Sequence, residues 1–158
     1  MIKLTLLDNT KKEVELFDEI TENDNILEID CMGPCIDRWT REDKYSNFRL
    51  QLLPENMNFP NLQKFNCDQN KLTFLPDNMN FPNLQSLVCT DNELTSLPNN
   101  MNFPNLQELI CNDNKLTSLP DNMNFPNLKE FCCSYNKLTS LPECILNFKN
   151  LHHYQNVF

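Results

Sequence analysis

A block of 22 residues is repeated almost verbatim through the chain, and no other feature restricts the possible folds as much. Aligned on its first leucine, it reads LQKFNCDQNKLTFLPDNMNFPN from Leu62, LQSLVCTDNELTSLPNNMNFPN from Leu84 and LQELICNDNKLTSLPDNMNFPN from Leu106. A fourth copy from Leu128, LKEFCCSYNKLTSLPECILNFKN, is one residue longer. A unit this short cannot hide an apolar face alone, so the copies must stack, each giving one short strand and one return segment to a solenoid. The expected architecture is a mostly β solenoid of the α/β type, with a parallel concave sheet and irregular or 3-10 returns.

Positions one, four, six, eleven and fourteen of the unit are apolar, as in Leu84, Leu87, Cys89, Leu94 and Leu97. They should point inward and stack on their equivalents. Met57, Met79, Met101 and Met123, with Phe59, Phe81, Phe103, Phe125 and Phe148, should add two more columns from the return side. Asn70, Asn92, Asn114 and Asn136 recur at position nine, where the chain leaves its strand. A carboxamide both donates and accepts, so stacked asparagines can satisfy the backbone groups that such a bend orphans. The two prolines of each unit favour an extended or 3-10 return over a long helix.

The whole chain reads as one domain, 1–158, with irregular ends. Residues 1–25 hold two alternating segments, IKLTLL and EVELF, around Asp8-Asn9-Thr10-Lys11, the pattern of a β-hairpin, here capping the first strand. Residues 26–61 are a degenerate stretch in which Ile26, Ile29, Cys31, Ile36 and Trp39 keep the apolar frame, with Pro34 in place of asparagine. The frame returns at Leu50, Leu53 and Pro54, so this stretch is either one long unit with an insertion or two partial units. Regular repeats of 22–23 residues occupy 62–150, and 151–158 reads as a terminal strand. Tyr154, Val157 and Phe158 would leave that end with little polar cover, open to a second copy or a partner.

With 13 basic and 22 acidic side chains the chain carries a net charge of −9, which disfavours nucleic acid, since phosphate binding needs a basic stripe. No apolar run approaches the roughly 18 residues of a membrane span, and the first residues lack the apolar run of a secretory signal. The expected location is the cytoplasm.

The eight cysteines are the first candidates for chemistry. Cys67, Cys89, Cys111 and Cys133 all fall at the inward position six, where cysteine packs as a small hydrophobe. Cys31 and Cys35 are spaced like metal ligands, yet no second pair accompanies them. Cys132 falls at the outward position five, with His153 expected diagonally across from it at roughly 7 Å. An open ladder of strands offers that pair no orienting group or oxyanion site, so Cys132 reads as an exposed thiol beside an incidental histidine. No catalytic residue, metal or cofactor is expected.

What a partner can read is the set of outward positions at which near-identical units differ. These include Lys64, Ser86, Glu108, Glu130 and His153 at position three, and Asn66, Val88, Ile110 and Cys132 at position five. Asp91, Asp113 and Tyr135 belong to position eight. Val88, Ile110 and Cys132 make an apolar strip bordered by Glu108, Glu130, Asp91 and Asp113, an arrangement suited to a protein or peptide with basic residues around a hydrophobic anchor.

The pattern L-x-x-L-x-L/C-x-x-N-x-L, strongest from Leu62 and weaker from Ile26, resembles the leucine-rich-repeat superfamily. The LTSLP step and the final LPECILNFKNL are similar to the intracellular repeat type, and the Asn- and Phe-rich dialect is similar to leucine-rich-repeat proteins of amoeba-infecting giant viruses. The resemblance implies a non-enzymatic interaction module that binds a protein, a host factor if the viral likeness holds. The alternative is a structural protein that self-associates, as a weak homodimer, through its C-terminal end.

Overall fold

The computed structural model describes residues 2–15, 17, 20, 25–33, 49–151 and 153–155, the last three by their backbone. Eight strands form one sheet: β1 (Ile2–Leu6), β2 (Lys11–Val14), β3 (Ile26–Asp30), β4 (Lys64–Asn66), β5 (Ser86–Val88), β6 (Glu108–Ile110), β7 (Glu130–Cys132) and β8 (His153–Gln155). Their order is β2-β1-β3-β4-β5-β6-β7-β8. From β3 onward every pairing is parallel, and β1 runs antiparallel to both β2 and β3. The hairpin thus covers the edge of β3. Its turn is held by Asp8, whose carboxylate accepts hydrogen bonds from the Thr10 amide and hydroxyl at 2.9 and 2.7 Å.

β3 lies directly beside β4, and among the described residues no strand comes between the two halves of the irregular unit. The second half of that unit is in register with the regular units. The Lys71 amide donates to the Leu50 carbonyl at 2.8 Å, as the Glu93 amide does to Leu72 at 2.9 Å. Pro34, Cys35, Ile36, Trp39 and the polar segment 40–47 lie outside the described residues.

The inward columns fill the space behind the sheet. Leu84, Leu87, Cys89 and Leu94 are fully buried, as are their counterparts in the adjacent units, and the methionine and phenylalanine columns close the core from behind. Phe59, Phe81 and Phe103 stack with ring centres 5.9 and 6.0 Å apart. Each ring therefore contacts the same side chain in the next unit, which offset stacking rewards beyond burial alone.

At position nine the Asn92 carboxamide accepts from the Leu72 amide at 3.0 Å and donates to the carbonyls of Cys67, Cys89 and Thr90. Asn70, Asn114 and Asn136 make the equivalent bonds, and Asn70 extends the ladder to Cys31 and Leu50 of the irregular unit. A second asparagine rail runs along the returns. Asn83, Asn105, Asn127 and Asn150, from the FPN and FKN steps, each donate to a proline carbonyl of the preceding unit at 2.8–3.0 Å. Among the described residues a 3-10 helix, Glu143–Asn147, occupies the return of the last unit and accommodates its extra residue. The other regular returns are turns and extended chain.

Position eight is held in the left-handed region in all four regular units, with φ of 56° at Gln69, 50° at Asp91, 51° at Asp113 and 55° at Tyr135. The irregular unit has Gly33 at this position, and the reason is closeness rather than φ. A Cβ there would stand 1.7 Å from the Gln69 carbonyl oxygen.

Candidate protein-binding surface

Strand alternation sends positions four and six into the core and positions three and five outward on the concave face. Parallel register then aligns the outward residues in rows. Asn66, Val88, Ile110 and Cys132 form one row, and Lys64, Ser86, Glu108 and Glu130 the other. Val88 and Ile110 are half-buried and stand side by side on strands about 4.8 Å apart. The two aliphatic side chains are the apolar centre of the face.

Charge is distributed unevenly along the rows. At the β4 end, Lys64 Nζ lies 2.7 Å from Glu28 Oε1, and Thr5 donates its hydroxyl to the same carboxylate at 3.2 Å. Lys64, with Thr5 and Lys11 assisting, holds the Glu28 carboxyl below its usual range. So exposed an ion pair contributes at most about 1 kcal/mol to stability, but it neutralises the cation of these rows. Toward β6 and β7, Ser86 donates its hydroxyl to Glu108, and Glu130 stands opposite Glu108 in register. Asp91 and Asp113 are exposed at the turn beyond the strands. Burial first, then the nearby Asp91, Asp113 and Asp30, push the Asp68 carboxyl up. The face is therefore acidic around its aliphatic centre.

Two expectations need correction or extension. Cys132 is not an exposed thiol: it is only 3% exposed, with Sγ 3.7 Å from Glu130 Oε1. The apolar strip consequently shortens to Val88 and Ile110. Burial and then Glu130 push the thiol up to about 11, the opposite of what an activated nucleophile requires. Register places His153 opposite Glu130, diagonal to Cys132, and its side chain lies outside the described residues. In addition, Glu28 and Asp30 of β3 continue the two rows beyond Lys64 and Asn66. Extending the repeat frame back to Ile26 would have identified both.

Tyr135, 67% exposed, and the two aspartates Asp91 and Asp113 remain available to a partner, although their backbone is also what turns the chain. The inward thiols do structural work. Cys31, Cys67, Cys89 and Cys111 each donate a weak hydrogen bond to a strand carbonyl of the next unit at 3.2–3.5 Å. Burial pushes Cys31 and Cys89 up to about 12 and raises Cys67 and Cys111 strongly as well. Among the described residues no cluster of His, Cys, Asp and Glu is placed to hold a metal ion, and no helix is long and apolar enough to cross a membrane.

Comparison with known proteins agrees with this geometry. Residues 104–143 match the family model described as leucine-rich repeats, two copies. No curated protein matches the chain. Among solved structures, the crystal structure of Listeria monocytogenes InlP is similar at 35% identity and a TM-score of 0.57, over 66% of this chain. The chain spans only 28% of the InlP chain. A leucine-rich-repeat protein of Leptospira interrogans is 25% identical over 85% of this chain and 49% of its own, with a TM-score of 0.44. Residues 104–143 match leucine-rich repeats, and the chain folds as a parallel-sheet solenoid of the kind leucine-rich-repeat proteins adopt.

Proposed function

We propose that the concave face binds a protein or peptide that presents a hydrophobic anchor flanked by lysine or arginine. The observation that carries this reading is the placement of Val88 and Ile110 beside Glu108 and Glu130, while Lys64 is engaged by Glu28. An apolar centre with a charged rim suits a protein partner, and the sign of the rim selects a basic one while raising its rate of encounter. The chain acts as a non-enzymatic module, since the fold supplies a binding surface and burial pushes the thiols of Cys31, Cys67, Cys89, Cys111 and Cys132 up. We place it in the cytoplasm. The Asn- and Phe-rich repeat dialect resembles that of giant-virus proteins, and on that reading the partner is a host protein.

The test is affinity capture from the native host with the wild type and a Val88→Asp, Ile110→Asp variant. Both side chains are half-exposed, so circular dichroism of the variant should be unchanged while the specifically captured protein disappears. Equal capture by the two would remove the concave face as the site.

A further inference from the structure

One flank of the solenoid departs from the repeat at two successive positions. Position thirteen is Ser96, Ser118 and Ser140 in three regular units but Phe74 in the first. The shared bonding of Leu50 and Leu72 to the unit that follows places Leu52 at that same position one unit earlier. Leu52 is 60% exposed and Phe74 40%. The core uses neither fully, and serine suffices at this position elsewhere. An open groove of about 660 Å³ runs from Phe74 across three units, floored by Leu75, Leu97 and Leu119 and the prolines that follow them. Its charged side chains are Glu55, Asp77 and Asp121, all exposed, and among the described residues no cation lines it.

We propose that this groove is a second docking surface, for an extended protein segment that sets a large apolar side chain on Leu52 and Phe74 and basic side chains against Asp77 and Asp121. Charge complementarity selects that occupant: nucleic acid and anionic membranes would meet three carboxylates with nothing to offset them. Unit spacing sets the register of the occupant. Asp121 is two units beyond Asp77, roughly 10 Å at about 4.8 Å per strand step, which three extended residues span. The bound segment thus carries two basic residues about three positions apart, the first next to its apolar anchor. This surface is separate from the concave face, because the unit turns at its position-nine asparagine between the two.

The test uses fluorescently labelled peptides of that pattern, with tryptophan as anchor and two lysines, and a control with glutamate at both lysine positions. Binding is read by polarisation and mapped by amide shifts on the full chain. The lysine peptide should bind in preference to the glutamate control and shift the amides of 73–75, 77, 96, 97 and 99. Leu52→Ser with Phe74→Ser, which installs the residue other units carry, should weaken it by roughly tenfold or more, as loss of a buried aromatic anchor does. The Val88→Asp, Ile110→Asp variant should bind this peptide normally, which keeps the two surfaces distinguishable. Equal binding of the glutamate control, shifts confined to β4–β7, or no effect of the double serine variant would each overturn the proposal. So would self-association of the wild type that the serine variant abolishes, since the occupant would then be a second copy.

Discussion

The return side and the strand face of each unit obey opposite rules. On the returns, Met, Asn and Phe are repeated without change in four units, where rings stack on the ring of the adjacent unit and carboxamides donate to the proline carbonyl of the preceding one. On the strand face, aligned positions carry Ser86, Glu108 and Glu130, or Val88, Ile110 and Cys132. Identity marks contacts that units make with one another, whereas divergence marks what faces solvent or a partner. Position eight cuts across this division, since its side chains vary while its backbone is held left-handed throughout.

The largest expected effect tests the constant side. Asn114→Ala would orphan the Leu94 amide and remove a donor from the carbonyls of Cys89, Cys111 and Asn112. At about 1–3 kcal/mol for each buried group left unpaired, the loss should reach about 3 kcal/mol or more in urea unfolding. Ser86→Ala on the opposite face should stay within about 0.5 kcal/mol. Similar costs for the two would break the distinction.

An intermediate effect is expected where the irregular unit meets the regular ones. Gly33→Ala drives a methyl group into the Gln69 carbonyl and displaces the Gly33 amide from the Asp68 carbonyl, now 2.8 Å away. Overpacking of this kind costs about 1–3 kcal/mol, and hydrogen exchange should show β1–β3 losing protection before β5 and β6. Uniform loss across the sheet would mean that the join is no weaker than the rest.

The smallest effect sharpens the exception. Tyr135→Asn places at φ 55° a residue that tolerates the left-handed region. A gain of up to about 1 kcal/mol in thermal unfolding is expected. No gain would mean that position eight carries no strain to relieve.

The apolar frame was legible because burial imposes a period that survives in sequence: Leu84, Leu87, Cys89 and Leu94 all stand where the alignment put them. The ladder asparagines were legible for a related reason, since few side chains can both donate and accept at a tight bend. Position eight was not, because Gln69, Asp91, Asp113 and Tyr135 share a dihedral angle rather than a chemistry, and a list of side chains reads as variation. Burial of Cys132 escaped for another reason: alternation gives the direction of a side chain but not how far it is covered. Phe74 is visible in the sequence as LTFLP in place of LTSLP, but a single departure there does not tell core from surface.

The rail of asparagines bonded to proline carbonyls makes successive joints of the solenoid chemically the same. Duplication or loss of one whole 22-residue block would therefore create no foreign joint, because the new neighbours would offer each other the groups that the old ones did. The number of turns is free to drift between generations of such a gene while the fold is not. A lineage can lengthen or shorten its reading surface without having to solve the packing problem again.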